Sequence, residues 1–119
     1  MDVIDIRTFI PCKDFDVSKS FYTEIGFTPE DASEDLTLFQ NGKCFFFLQR
    51  FYNEELAKNF MLQVCVADID AAFDLCEKSA HKTKISPIQR ERWGKVFFVW
   101  GPVGELLHIT ELNSELKTK

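Results

Sequence analysis

The fold is decided by residues 92–111, which read RWGKVFFVWGPVGELLHITE. Two apolar, β-prone runs flank the turn sequence Gly-Pro-Val-Gly at 101–104. Glycine permits a positive φ and proline fixes φ at the corner, so this cluster lets the chain reverse its direction. The stretch therefore predicts an antiparallel hairpin, and its second strand carries a histidine, His108.

The chain also contains an internal repeat. The pattern Asp-x-Asp occurs at 14–16 and again at 68–70, each time after an apolar run and before a helical spacing of apolar residues. Asp14 and Asp68, or their neighbours, are predicted to cap two helices, because a short carboxylate accepts hydrogen bonds from the free amides of the first turn. Gly26 is a natural end for the first helix.

Strand signals follow each predicted helix. They lie at 35–39 and 43–51, on either side of the hairpin dipeptide Asn41-Gly42, and at 84–93 and 95–100. Each half therefore reads as a strand, a helix and about three further strands. Because neither half covers its own sheet alone, we expect one α+β domain over 1–119. Its parts are a first module at 1–52, a linker at 53–59, a second module at 60–112 and a polar tail at 113–119.

These motifs resemble the vicinal oxygen chelate superfamily, which includes glyoxalases, ring-cleaving dioxygenases and bleomycin resistance proteins. The first module is similar in Pro-x-x-Asp, Ser-x-x-Phe-Tyr and Gly-Phe, which here are Pro11, Asp14, Ser18, Phe21, Tyr22, Gly26 and Phe27. The second is similar in its turn at 101–105, in Glu111, and in Trp93-Gly94 with an apolar-His-apolar ending, which most resembles the bleomycin resistance branch. The resemblance implies two βαβββ modules that form a cupped mixed sheet with helices on the outer face.

Enzymes of this superfamily hold a divalent metal with four side chains, usually His, Gln or Glu. The resemblance places those positions at Arg7, Phe47, Met61 and His108, with Gln49 as the alternative to Phe47. Divalent ions need nitrogen and oxygen donors, normally three or more from the protein, and Arg7 would bring a permanent positive charge. The sequence thus predicts no metal, no cofactor and no catalytic residue, and it favours a protein that is not an enzyme.

Strand alternation predicts which side chains line the concave face. In the first strand, Ile4, Ile6, Thr8 and Ile10 are assigned to the helix-packed side. The candidate ligand-binding residues are Arg7, Phe9, Phe45, Phe47, Gln49, Met61, Gln63, Trp93, Leu106 and His108. An aromatic, amide and thioether lining suits a planar or amphipathic organic molecule. The other histidine, His81, is predicted to lie at the surface.

Charge bears on the identity of the ligand. The net charge of −5 disfavours nucleic acid as a partner and attracts cations. The acidic run at 30–35 resembles the acidic segment of bleomycin resistance proteins, which bind a cationic drug, and a solvated loop is its alternative interpretation.

Three functions remain open. The favoured one is a non-catalytic protein that sequesters an aromatic or cationic compound, with antibiotic resistance of the bleomycin-binding type as one form. The second is a divalent-metal-dependent enzyme of the glyoxalase or dioxygenase type. The third is metal-free acid/base chemistry by His108 with Glu111 or Arg7.

Composition indicates where such a protein works. The sequence shows no apolar run of membrane-spanning length and no signal-peptide pattern, so no membrane partner is expected. Cys12, Cys44, Cys65 and Cys76 form no Cys-x-x-Cys pair and are predicted to be reduced, which points to the cytoplasm. Long apolar strands such as 44–48 leave an edge to cover, and with the resemblance this predicts a homodimer.

Overall fold

The computed structural model describes residues 1–113, so the predicted tail, apart from Asn113, lies outside the described residues. No helix in the described part is both long enough and apolar enough to cross a membrane. The elements, in chain order, are β1 (Phe9–Pro11), α1 (Phe15–Glu24), β2 (Thr28–Ser33), β3 (Leu36–Asn41), β4 (Cys44–Gln49), α2 (Glu54–Lys58), β5 (Met61–Cys65), α3 (Ile69–Glu77), β6 (Lys84–Ile85), β7 (Gln89–Glu91), β8 (Gly94–Trp100) and β9 (Leu106–Leu112).

The strands form two mixed sheets, one from each module. The first sheet has the order β1-β4-β3-β2, with β1 parallel to β4 and the other neighbours antiparallel. The second has the order β5-β9-β8-β6, with β5 parallel to β9, and β7 also pairs with β8. The predicted α+β class is confirmed, and each sheet has a long helix of its own module packed on it.

The predicted helix ends and hairpins are confirmed. Asp14 Oδ1 accepts a hydrogen bond from Val17 N at 3.2 Å at the start of α1, and Asp68 caps α3 in the same way. Gly26 follows α1 with a φ of 109°, a conformation that residues with a Cβ rarely adopt. The turns at 41–42 and 101–104 join β3 to β4 and β8 to β9.

The first strand is shorter than predicted. Ile10 is fully buried as expected, but Ile4 and Ile6 are 100% and 85% exposed and precede β1. The register accounts for the earliest residues, because Phe9 pairs with Phe47 in a parallel arrangement and residues before Ile6 therefore lie beyond the start of β4.

Two further strand boundaries differ from the prediction. The acidic run, for which a loop was one interpretation, begins inside β2. The single strand predicted at 84–93 is divided into β6 and β7. Pro87 lies between these two strands, and proline has no backbone N–H to donate to the neighbouring β8.

Both sheets pack on one hydrophobic core. The buried side chains of the first module, such as Phe39 and Leu48, join those of the second, such as Phe97 and Leu107, in a single cluster that also contains the apolar sides of the helices. Because side chains alternate along a strand, the opposite face of each sheet is turned away from this core. The candidate ligand-binding residues lie on these two outward faces or next to them.

A polar contact also joins the two modules beside the core. Glu24, at the end of α1, accepts hydrogen bonds from Ser79 Oγ at 2.6 Å and lies 3.0 Å from His81 Nδ1. These bonds, that from Ser79 first, lower the pKa of the Glu24 carboxyl. His81 lies at the surface as predicted, with its side chain 32% exposed, and it is also paired with Glu24 across the module boundary.

Candidate ligand-binding faces

The first open face is the side of the first sheet that carries Phe45, Phe47 and Gln49. Along β4 these three residues alternate with Phe46 and Leu48, which are buried in the core. The predicted alternation is therefore present. Phe45, Phe47 and Gln49 remain half-buried and free to meet a ligand.

Aromatic rings stack in the middle of this face. Phe9 pairs with Phe47 across the β1–β4 register, and their ring centroids are 4.7 Å apart with planes 14° from parallel. Phe9 nevertheless remains 48% exposed. The Arg7 guanidinium lies 4.8 Å from the centroid of the Phe45 ring, and its Nε pairs with Asp5 at 3.0 Å. The five candidates of the first module are thus brought together.

The second open face is built on β5 and β9. Met61 pairs with Leu106 and Gln63 pairs with His108, so these four candidates form two adjacent rows. Along β9, Leu107 between Leu106 and His108 and Ile109 after His108 are buried in the core. The predicted parity of β5 and β9 therefore holds for this module too.

Two aromatic residues extend the second open face onto β8. Phe98 pairs with His108, and their rings meet edge-to-face with centroids 4.9 Å apart. Trp100 pairs with Leu106, and Lys84 Nζ of β6 lies 4.8 Å from the centroid of its ring. The sequence interpretation missed Phe98, Trp100 and Lys84 as site residues. The period-two alternation along β8 would have found the two aromatic residues.

His108 carries an unsatisfied nitrogen. Its Nε2 is shielded from water and has no hydrogen-bond partner among the described residues. Leaving a buried polar atom unpaired costs roughly 1–3 kcal/mol, and such an atom calls for an explanation. A molecule bound on the uncovered face would supply this partner after a half-turn of the imidazole brings Nε2 to the open side.

Trp93 stands apart from the other candidates. It lies in the turn between β7 and β8, 38% exposed, and its carbonyl oxygen accepts a hydrogen bond from Asn113 N at 2.9 Å. The next residue, Gly94, has a φ of 152° and packs tightly against the backbone of Glu111. The immediate surroundings of Trp93 are therefore those of a strand turn.

A groove of about 450 Å³ runs between the modules and collects residues from both. Phe45 and Gln63 line it together with Ile6, Tyr22, Cys44 and Cys65. The two candidates on different sheets thus share one cavity. Cys44 and Cys65 are exposed free thiols there, whereas burial raises the pKa of the Cys12 thiol to about 12 and that of Cys76 to about 11.

The four residues that the sequence resemblance assigned to metal-ligand positions do not form a donor set for a metal ion. Arg7 is engaged with Asp5 and Phe45, Phe47 stacks on Phe9, and Met61 offers only a thioether. Among residues 1–113, no group of three His, Cys, Asp or Glu side chains is arranged to hold an ion. Glu111 does not join His108, because its Oε1 accepts a hydrogen bond from Ile69 N at the start of α3.

A buried carboxyl that the sequence interpretation missed lies at the module boundary. Glu105 is fully buried; its Oε2 accepts a hydrogen bond from Tyr22 OH at 2.8 Å and its Oε1 one from Val103 N at 3.0 Å. Loss of hydration raises the pKa of the Glu105 carboxyl above its usual 4.5 and also raises the pKa of Tyr22. A Cβ on Gly101 would lie 2.4 Å from Glu105 Oε1, so the turn glycine makes room for this carboxyl.

The acidic run is largely occupied by partners within the chain. Asp31 Oδ1 accepts hydrogen bonds from Lys19 Nζ and Thr37 Oγ1, both at 2.8 Å, and the Lys19 bond is the main reason that the pKa of Asp31 is lowered. Asp35 pairs with Arg50 at 3.2 Å. Half of the four carboxylates therefore already face a cation of the protein.

Architecture and topology together define a protein of the glyoxalase and bleomycin-resistance fold, which confirms the resemblance seen in the sequence. No protein-family model and no curated protein matches the chain.

Solved structures with the same fold include proteins that bind antibiotics. The bleomycin-binding protein of Streptomyces verticillus, solved with copper(II)-bleomycin, has a TM-score of 0.78 at 18% identity, over 95% of this chain and 99% of that one. TnmS3, an antibiotic-binding protein from Streptomyces sp. CB03234, has a TM-score of 0.81 at 14% identity over the same shares. The bleomycin resistance determinant encoded on transposon Tn5 has a TM-score of 0.76 at 18% identity, over 93% of this chain and 99% of that one. At these identities the likeness establishes the fold.

Proposed function

We propose that this chain is a non-catalytic binding protein that sequesters an aromatic or cationic small molecule, an antibiotic among the candidates. The observation that carries the proposal is the uncovered aromatic surface, in which Phe9 stacks on Phe47 and is still 48% exposed. Burial of aromatic surface lowers the free energy of a folded protein. A stacked ring pair that stays exposed therefore offers a ligand a favourable binding surface. Proteins of the same fold that bind antibiotics support this proposal.

The composition of the two faces favours capture over turnover. The inferred ligand positions hold a guanidinium, a phenyl ring, a thioether and one imidazole, which is not a donor set for a divalent ion. Acid/base chemistry by His108 and Glu111 loses support, because Glu111 is bonded to the start of α3. A metal-dependent enzyme of the glyoxalase or dioxygenase type remains the alternative. It requires one tightly held divalent ion per chain, which elemental analysis of the purified protein measures.

The same proposal includes a homodimer. Residues 1–8 lie outside the strands, with Ile4 and Ile6 exposed, and β5 pairs on one side only, with Met61 62% exposed. An open strand edge and unburied isoleucines are surfaces that a second chain covers. Module exchange or pairing would let the faces of two chains enclose one ligand. Sedimentation or light scattering measures the assembly. We also propose a cytoplasmic location, for which the four unpaired cysteines are the support.

Replacing Phe47 with Ala should weaken ligand binding by about tenfold or more while leaving the fold intact, because the ring contributes to the open face and only partly to the core. The measurement is calorimetric titration with bleomycin and with planar heteroaromatic compounds, preceded by thermal-shift screening of the same compounds. A ligand present at 100 times its Kd stabilises the folded form by about 2.7 kcal/mol, which such a scan detects.

The matched control is Leu56→Ala, since Leu56 is 58% exposed on α2, outside the strands that form the two open faces. This variant should bind as the wild type does. If no compound of either class binds saturably, or if the protein retains one divalent ion coordinated by His108, the binding proposal is wrong.

A further inference from the structure

The charge beside the rings of the second open face is positive. Lys84 Nζ lies 4.8 Å from the Trp100 ring centroid and forms no ion pair with any residue from 1 to 113. Glu91 pairs with Gly94 at the other end of β8, about 13 Å along the strand from Phe98. That separation exceeds the screening length of about 8 Å at physiological salt. Glu105, next to Leu106, is bonded to Tyr22 and Val103 in the interior, so Lys84 is the charged side chain in contact with these rings.

The first open face has the same sign beside its rings. Arg7 lies over Phe45, and its Asp5 partner neutralises only part of that charge in water. The acidic run, which favoured a cationic ligand, has Asp31 and Asp35 paired with Lys19 and Arg50. A cationic guest would therefore meet aromatic rings that already have cations against them.

His108 provides a second polar anchor on the same face. Its strand, β9, is separated from β6 by β8, and His108 lies opposite Phe98 whereas Lys84 lies opposite Trp100, so about 12 Å separates the backbone positions of His108 and Lys84. Phe98 and Trp100 fill the interval with aromatic surface. The His108 ring is partly exposed, and half a turn about its Cβ–Cγ bond exchanges Nε2 with Cε1, which changes the side on which the unpaired nitrogen lies.

We infer that the second open face binds a planar aromatic acid, with its rings on Phe98 and Trp100, its anionic group at Lys84 and a hydroxyl at the far end hydrogen-bonded to His108. This inference rests on the proposed binding function and specifies the class of ligand. On binding, the Lys84 ammonium moves from the Trp100 indole to pair with the anion, since its four-carbon side chain is flexible. The hydroxyl gives the imidazole nitrogen the partner that it lacks.

Matched naphthalene probes test this inference, because they share one ring system and differ in charge or in one hydroxyl. Calorimetric titration compares 2-naphthoate, 2-naphthylmethylammonium and 6-hydroxy-2-naphthoate on the wild type, Lys84→Gln, His108→Phe and the control Lys78→Gln at the end of α3. We expect naphthoate to bind about tenfold more tightly than the ammonium compound, and Lys84→Gln to remove most of this difference. The added hydroxyl should strengthen binding about fivefold in the wild type and not in His108→Phe.

Each outcome decides between the two proposals. Tighter binding of the ammonium compound would overturn the inference and leave the binding function standing, and so would an equal loss in Lys78→Gln and Lys84→Gln. If the hydroxyl strengthens binding equally in His108→Phe, the proposed hydrogen bond to His108 is wrong. Should His108→Phe fail to fold, by circular dichroism, the charge comparison in the exposed Lys84→Gln variant still decides the class of ligand. If none of the three probes binds the wild type, the inference fails whatever bleomycin does.

Discussion

Gly94→Ala should destabilise the protein by about 3 kcal/mol or more, enough to lower the melting temperature by roughly 10 °C. A Cβ at this position would lie 2.2 Å from the carbonyl oxygen of Glu111 and 3.0 Å from Cα of Leu112. Both contacts are backbone atoms of the paired strand, so no side-chain rotation relieves them. The φ of 152° adds strain for any residue with a side chain. Urea denaturation monitored by circular dichroism measures the loss.

Gly42→Ala is the matched control for this prediction. Gly42 also has a positive φ, 59°, but a Cβ there meets nothing within 4 Å. The substitution should cost only the left-handed backbone conformation, about 1 kcal/mol. Equal losses at the two positions would show that conformation, and not the approach of β8 to β9, limits Gly94.

Glu105→Ala should cost about 3 kcal/mol, because it leaves the Tyr22 hydroxyl and the Val103 amide buried without a partner. Glu105→Gln should cost much less, since an amide supplies an oxygen to Val103 N and an N–H to the hydroxyl of Tyr22. The comparison separates hydrogen bonding from charge. Denaturant midpoints at pH 7 measure both variants, and a similar loss in the two would mean that the carboxylate charge itself stabilises the boundary.

The same residue gives the protein a pH dependence of defined sign. Because the pKa of Glu105 is raised in the folded state, its contribution to stability is fully present below the unfolded value of 4.5 and is lost as the pH rises through the folded pKa. Glu105→Gln does not titrate at this position, so the stability of the variant relative to the wild type should be more favourable at pH 8 than at pH 5. An unchanged difference between the two proteins over this range would contradict the prediction.

The fold was largely readable in the sequence because its signals are local. Asp14 and Asp68 as caps, Gly26 as a helix end, and the turns at 41–42 and 101–104 each act within a few residues, and the structure confirms them. The extent of β1 was not readable, since a strand continues only where a distant partner pairs with it, and the paired residues of β1 are limited to Phe9–Pro11. The division of β6 from β7 was signalled by Pro87, a cue that was overlooked.

The open faces were only partly predictable. Period-two alternation placed Phe45, Phe47, Met61 and His108 on faces turned away from the core, and it would have added Phe98 and Trp100. No spacing rule indicated that Glu105 reaches Tyr22, because the two lie in different modules and meet only when those modules pack. The pairing of Asp31 with Lys19 is likewise a tertiary contact, and it removes a charge that composition alone had assigned to a ligand.

The alternation of buried and open residues along β4 and β9 bears on how such a protein diversifies. Neighbouring positions on one strand meet different requirements, because one side chain packs in the core and the next faces outward. On the proposed binding function, substitutions at the outward positions can accumulate with little penalty to folding and change the ligand while the fold persists. This chain is 18% identical to the bleomycin-binding protein of Streptomyces verticillus and still superimposes on it over 95% of its length. Retention of the fold at such low identity is expected when core positions and outward positions alternate along the strands.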